Sequence, residues 1–334
     1  MKPAVLLLPL RIARTRIPHV STFTPRPLIV VLNAASGRHD DEDDAATTIG
    51  EVLRAAGRPH ELRPVADAAA LDATTRQAAQ DARASGGVLV AAGGDGTLNA
   101  VARAALEEDV DYGVIPRGTF NYFARAHGIP TDTGQATRAL LDAVVEPVPV
   151  GFVSGRLFLV NASVGLYPET LDVREEQKQR HGRSRPVALW ATLLTVLQGH
   201  HPMQVRLERD GREVELSTLT LFVGLNPLQL EQMGWDGTPV ERGRLAAIVL
   251  KPVSTPRLLW LLARGALGRL PSAHGVDSFT FSQLTVAPLS RAVRRLKVAT
   301  DGETTFLAPP LEFELSPQPL KLLKPRMVAD GQAS

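Results

Sequence analysis

The 334-residue chain has no cysteine. Disulfide scaffolds, thiol catalysis and cysteine-ligated zinc or iron–sulfur centres are therefore excluded, and a reducing cytoplasm is compatible. Aromatic residues make up only 5% of the sequence, too few for a platform on which nucleic-acid bases stack. Lys and Arg number 37 against 35 Asp and Glu, a formal net charge of +2. A nucleic-acid partner is thus not expected. Long apolar runs are also missing. Ala4–Leu8 is followed by Pro9 and Arg11, and Leu258–Ala263 is bounded by Arg257 and Arg264. Neither approaches the roughly 20 residues that span a bilayer. Lys2 and the Val5–Leu8 run faintly resemble a signal peptide, but arginines follow and no small-residue cleavage site appears. Residues 1–27 read instead as a loosely attached basic extension, and 326–334 as a flexible tail.

What is present is ample apolar material, 44% of the chain. At roughly 150 residues per domain, two domains are expected. Leu28–Leu32, Val88–Ala92 and Tyr112–Ile115 are short apolar runs ending in turn residues, the pattern of buried strands. Between them, Ala45–Ala56, Leu71–Ala84 and Thr97–Ala105 carry helical spacing. This alternation over 28–145 predicts an α/β domain with a parallel sheet covered on both faces. After Val144 strand-like segments come in pairs: Val148–Val153 with Leu157–Ala162, and Gln204–Glu208 with Glu213–Leu216 around Asp210-Gly211. Leu219–Gly224, Leu245–Leu250, Ser278–Val286, Arg295–Thr300 and Leu311–Leu315 continue the series. An antiparallel β-sandwich over 146–314 is expected, interrupted by helices near 186–198 and 256–270. Residues 315–325 are candidates to return to the first domain.

Three loops follow strands of the first domain. Gly93-Gly94-Asp95-Gly96-Thr97 lies between a strand and a helix. Its glycines let the backbone approach a phosphate, and the helix start offers N–H groups to an anion. A tight turn alone would need fewer glycines. Gly118-Thr119-Phe120-Asn121 again opens a helical run, and Thr119 and Asn121 read equally well as nucleotide contacts or as loop and cap residues. Asn33 to Gly37 is the third loop. In open α/β sheets ligands bind outside the carboxyl ends of strands, so the three loops form one candidate nucleotide cleft. Asp301-Gly302-Glu303 follows an alternating strand. Alone it reads as a hairpin turn; beside a phosphate cleft its carboxylates could activate a hydroxyl.

Taken in order, these elements resemble the bacterial diacylglycerol kinase and sphingosine kinase-like lipid kinases. The resemblance spans Leu28 to Lys324 and rests on Asn33-x-x-Ser36-Gly37, Gly93 to Thr97, Gly113-x-x-Pro116-x-Gly118-Thr119-x-Asn121-x-x-Ala124, Asn161-x-Ser163-x-Gly165 and Asp301-Gly302-Glu303. It implies a Rossmann-like N-terminal domain, a C-terminal β-sandwich and an active site in the cleft between them. It implies ATP as donor, Mg²⁺, and a hydroxyl of diacylglycerol or a related lipid as acceptor, met at a membrane surface by a cytoplasmic protein. Nucleotide contacts would come from Asn33, Ser36, Gly37, Gly93, Gly94, Gly96, Thr97, Thr119 and Asn121. Asp301 would be the general base with Glu303 beside it, and Asp95 would organise the metal, Asp95 and Asp301 reaching it through water. Two departures stand out. Tyr122 occupies a position where well-characterised diacylglycerol kinases carry Asp. Glu241-Arg242-Gly243-Arg244 stands where an acidic turn binds a structural Mg²⁺, so no such site is expected.

Gly-Gly-Asp-Gly-Thr is shared with NAD kinases, so a soluble-substrate kinase is the alternative, and an inactive nucleotide- or lipid-binding regulator is a third reading. A homodimer is allowed by the sequence. Arg291, Arg294, Arg295 and Lys297 form a basic cluster that reads as a solvated face or as a contact for anionic headgroups. His39, the His200-His201 pair and the apolar run around Trp260 read more readily as surface and core residues than as sites.

Overall fold

The computed structural model of the protein describes residues 25–33, 42–65, 67–118, 121–165, 202–209, 211–225, 244–254, 256 and 275–326. Ser36, Gly37, His39, Thr119, His200-His201, Glu241–Gly243, Trp260 and nearly all of the two helices expected near 186–198 and 256–270 lie outside these residues.

The first unit alternates β1 (Leu28–Asn33), α1 (Glu42–Ala55), β2 (His60–Val65), α2 (Ala68–Ser85), β3 (Val88–Gly93), α3 (Asp95–Glu107) and β4 (Asp111–Pro116). Two short helices, α4 (Tyr122–Ala126) and α5 (Thr133–Ala139), precede β5 (Val144–Val148). The uniformly apolar β1 and β3 are buried on both faces, as central parallel strands require. The boundaries of α2 follow from its caps. The Asp67 side chain accepts from Ala70 N at 2.8 Å, and Gly86 takes the left-handed conformation at the other end with φ 62°.

Strand order in this sheet is β2-β1-β3-β4, then the last strand of the chain, Leu320–Lys324 (β18), then β5. The chain steps outward from β1 to β2 and crosses back over β1 to β3. The carboxyl ends of β1 and β3 therefore flank the point where the winding reverses, the place where α/β sheets bind ligands. β18 runs parallel to β4, but β5 runs antiparallel to β18. The sheet is thus parallel except at this edge. A boundary at 145 falls inside β5.

The second unit contains β6 (Gly151–Val153), β7 (Arg156–Phe158), β8 (Asn161–Gly165), β9 (Met203–Arg209), β10 (Arg212–Thr218), β11 (Thr220–Gly224), β12 (Leu245–Leu250), β13 (Val276–Phe281), β14 (Gln283–Pro288), β15 (Leu296–Thr300), β16 (Glu303–Leu307) and β17 (Leu311–Leu315). They form two six-stranded sheets, β10-β9-β14-β17-β6-β7 and β13-β12-β11-β8-β15-β16. Every pairing within them is antiparallel. Phe158, Leu207, Val286 and Phe313 from one sheet and Val164, Val223, Phe281 and Val298 from the other make a single core, so the unit is a sandwich.

Two expected strands divide where the chain changes sheets. Ser278–Val286 is β13 and β14, separated at Ser282. Bending there lets Phe281 and Leu284 enter the same core from opposite sheets. Leu157–Ala162 likewise splits into β7 and β8 across Leu159-Val160.

Leu322 is fully buried against the first unit's core, although it lies about 175 residues of chain beyond β5. Leu322→Ala should destabilise the protein by about 2–5 kcal/mol, read by urea unfolding. A cost below about 0.5 kcal/mol would mean that β18 does not complete the first sheet.

Candidate active site

The two glycine-bearing segments after β3 and β4 are fastened together by backbone. Arg117 N donates to Gly93 O at 2.7 Å. Gly118 packs against the Gly94-Asp95 backbone, with Gly94 Cα 3.4 Å from where a Gly118 Cβ would stand. Asn121 takes a left-handed conformation with φ 49°. Its amide spans the loop, accepting from Gly118 N at 3.0 Å and donating to Gly118 O at 2.9 Å. It is buried. Asn121 thus fastens the loop in this structure, and its side chain does not cap α4. Tyr122 packs against the core of the first unit.

Across the switch point, Asn33 Nδ2 donates to Thr97 Oγ1 at 2.8 Å, joining the end of β1 to the first turn of α3. Thr97 is buried and its side chain fills the space beside Gly93, where a Cβ would meet it at 2.6 Å. α3 starts at Asp95 after Gly94, and no side chain caps it. Its first N–H groups, with the positive end of the helix dipole, remain as an anion site.

The Asp301-Gly302 pair forms the two-residue turn of the β15–β16 hairpin, with φ 51° and 93°. Such a turn requires left-handed residues, which Asp and Gly tolerate. The hairpin reading is therefore correct and also builds the site. Asp301 Oδ2 accepts from Leu159 N at 2.7 Å and from Asn99 Nδ2 at 2.9 Å. Its Oδ1 accepts from Val160 N at 2.8 Å and from Asn161 N at 3.1 Å. Asp301 N donates back to Asn161 O at 2.9 Å. A carboxylate has about four acceptor positions, and all are taken. Burial raises the Asp301 pKa, while the three backbone N–H groups and Asn99 oppose the rise. Asp301, expected to be the base, ties three segments together.

Glu303 opens β16 two residues later with its side chain 55% exposed. Its carboxylate rests directly on Gly96 in the first turn of α3, where any Cβ would displace it. Arg156 Nη2 stands 3.4 Å from Glu303 Oε2, and Arg156 Nε donates to Thr300 Oγ1 at 2.9 Å. Asp95, Asp301 and Glu303 thus converge on the start of α3. Burial first, then the Asp301 and Glu303 charges, push the Asp95 carboxyl up to about 6.

Such concentrated negative charge fits a cation. Among the described residues no three acidic or histidine side chains form an all-protein metal cage. Mg²⁺, however, needs only one or two carboxylates when nucleotide phosphates complete its shell, and Asp95 is placed to supply one. A cavity of about 440 Å³ lined by Pro27, Pro59, His60, Arg63 and Asp81 lies at the amino ends of β1 and β2, on the far side of the sheet from these residues.

The structure thus brings together Asn33, Gly93, Gly94, Asp95, Gly96, Thr97, Asp301 and Glu303, with Asn121 behind them. Two residues escaped the sequence reading. Asn99 donates to Leu157 O at 3.0 Å as well as to Asp301, linking α3 to the sandwich. Its signal was its position four residues after Asp95, on the same helix face. Arg156 carried no local signal, because only the pairing of distant strands places it beside Glu303.

A sequence profile of the diacylglycerol kinase catalytic domain matches residues 27–153. The diacylglycerol kinase of Bacillus subtilis (strain 168) is 33% identical over 205 residues, covering 58% of this chain and 65% of that protein. A YegS-like lipid kinase of Pseudomonas aeruginosa (strain UCBPP-PA14) is 32% identical over 260 residues, 76% of this chain and 82% of its own length. The crystal structure of a diacylglycerol kinase from Bacillus anthracis str. Sterne superposes with a TM-score of 0.64 at 17% identity, over 91% of this chain and 98% of that one, and shows the shared fold. At 32% identity over most of both chains, the relative from Pseudomonas aeruginosa shows that the chain belongs to the diacylglycerol kinase family of lipid kinases.

Proposed function

We propose that the protein transfers the γ-phosphate of ATP to a hydroxyl of diacylglycerol or a related lipid, with Glu303 as the general base. The observation that carries this reading is the Glu303 carboxylate resting on Gly96 at the uncapped start of α3. The anion site and the base then sit side by side. A phosphate bound by the first-turn N–H groups of α3 has its terminal oxygens next to Glu303. The lipid hydroxyl approaches from the sandwich side, gives its proton to a Glu303 oxygen and attacks phosphorus, and ADP leaves. Exposure and a single ion pair leave Glu303 oxygens open for this, whereas those of Asp301 are not.

Asp95 is the residue that would hold Mg²⁺. When bound, the ion neutralises charge on the phosphates. Asn33, Thr97, Gly118 and Asn121 fix the loops, so that little reorganisation accompanies the reaction. Arg156 holds Glu303 over the cleft until the substrate enters. Among the described residues no helix is long and apolar enough to cross a membrane. A cytoplasmic protein that reaches its lipid from the membrane surface is consistent with that. Asp301-Gly302-Glu303 on a late β hairpin favours this reading over a soluble-substrate kinase, since the base is supplied by the sandwich.

Incubation with γ-labelled ATP, Mg²⁺ and a panel of diacylglycerols and other hydroxylated lipids tests the proposal. Labelled lipid is expected. Its absence with every lipid, from folded protein that binds ATP, sinks the reading. Glu303→Gln should lower kcat by roughly 10²–10⁴-fold with an unchanged melting temperature. Asp301→Ala should instead cost about 2–4 kcal/mol of stability, because buried donors lose their acceptor. The reverse pattern would return the base role to Asp301.

The Asp95 carboxyl predicts a pH dependence with a definite sign. Its folded pKa of about 6 lies above the unfolded value of 3.8. The metal-free fold is therefore penalised as Asp95 ionises, and stability falls as pH rises from about 4 through 6. Asp95→Asn removes this loss. The variant should match the wild type at pH 3.5 and exceed it by about 1–3 kcal/mol at pH 7.5, measured by chemical unfolding without Mg²⁺. A stability difference independent of pH would contradict the buried charge.

A further inference from the structure

Four large hydrophobic residues are exposed among the described residues: Val145, Val214, Leu289 and Phe306. Two of these share one corner of the sandwich. β14 ends at Pro288 and β17 begins at Leu311, with Val286 opposite Leu311. In the other sheet Leu296 faces Leu307 and Lys297 faces Phe306. The loop 289–295 and the segment 308–310 therefore leave the two sheets at the same end of the molecule. Leu289 starts that loop and is 38% exposed, while Phe306, on the edge strand β16, is 59% exposed.

The cations lie in the same place. Arg291, Arg294 and Arg295 are all exposed. No hydrogen bond or ion pair to a described residue engages any of the three. Lys297 places its Nζ 5.8 Å from the centre of the Phe306 ring. Arg206 with Glu215 and Arg103 with Glu107 show the paired alternative elsewhere on the described surface. Scattered single apolar residues need no explanation. An aromatic and an aliphatic residue ringed by four cations, three of them unpaired, match the chemistry of a headgroup layer. There, apolar groups enter the acyl boundary and basic side chains meet lipid phosphates.

We propose that this β14–β15 and β16 corner is the surface through which the protein docks on an anionic lipid bilayer, with Leu289 and Phe306 entering the headgroup layer and Arg291, Arg294, Arg295 and Lys297 meeting lipid phosphates. The proposal rests on the lipid kinase reading and extends it. β16 connects the two places directly. Glu303 starts the strand and Phe306 lies three residues on, roughly 10 Å along it. Glu303 is at the turn end of the same edge strand, so a bilayer lying along that strand would run from the corner towards the base.

Sedimentation of the full chain with vesicles of phosphatidylcholine, alone or with about a third phosphatidylglycerol, tests the surface. The wild type should bind the anionic vesicles and not the neutral ones. Each basic residue near an anionic surface is worth roughly five-fold in partitioning. The R294E/R295E variant should therefore bind at least tenfold more weakly, and Phe306→Ser should also weaken binding, both with wild-type melting temperatures. Arg212→Glu, on the edge strand of the other sheet, should leave binding unchanged. Kinase activity on vesicle-borne diacylglycerol should fall with binding, while activity on a water-dispersed short-chain diacylglycerol stays at the wild-type level. Equal binding by the wild type and both corner variants overturns the proposal, as does failure of the wild type to bind anionic vesicles. An equal loss in Arg212→Glu also overturns it, since total charge would then be acting. Loss of binding in the corner variants, from a protein that phosphorylates no lipid in either form, supports the docking surface and defeats the kinase reading.

Discussion

Four N–H groups converge on the Asp301 carboxylate, and much of the candidate site depends on that convergence. Asn99 brings α3 from the first unit, Leu159, Val160 and Asn161 bring the crossing between two sandwich sheets, and Asp301 itself brings the β15–β16 turn. These three segments lie far apart in the chain. A buried carboxylate is tolerated only when its oxygens are satisfied, and removing it would orphan several donors at once. The bond from Asn99 links the two units side chain to side chain at the cleft. Through it the start of α3, where a phosphate would bind, is held in register with Glu303, which would act on the hydroxyl.

Acids close together in this site have different environments. Asp301 is enclosed and saturated. Glu303, two residues on, points across the turn at Gly96 and keeps most of its side chain in solvent. Asp95 lies between the two kinds. It is largely buried beside two acidic neighbours, and its raised pKa records that. The winding of the first sheet puts all of this at one edge. β1 and β3 adjoin where the chain reverses direction, so Asn33 meets Thr97 there and nowhere else along the sheet.

Local sequence carried much of this. Buried strands of the first unit are continuous apolar runs, and the helices between them have clear caps and spacing. Glycines mark the loops because close approach at Gly93 and Gly96 leaves no room for a side chain. The Asp301-Gly302 turn was legible as a hairpin because the turn requires those residue types. Non-local pairing was legible only in part. The return of 315–325 to the first unit was expected, but not its place between β4 and β5, and nothing near Ser282 announces a change of sheet. The different environments of Asp301 and Glu303 were not legible for the same reason: four donors from sites 140 to 202 residues away set them apart. Asn121 read equally as ligand contact and loop residue until its amide was seen to close on Gly118.

The most direct measurement of this account is hydrogen exchange at the Leu159, Val160 and Asn161 amides, resolved by NMR or mass spectrometry. In the wild type and in Glu303→Gln these amides should be strongly protected, and in Asp301→Asn they should exchange faster while the amides of β3 stay protected. Equal exchange of the three amides in all forms would contradict the claim that the Asp301 carboxylate joins the two halves of the site.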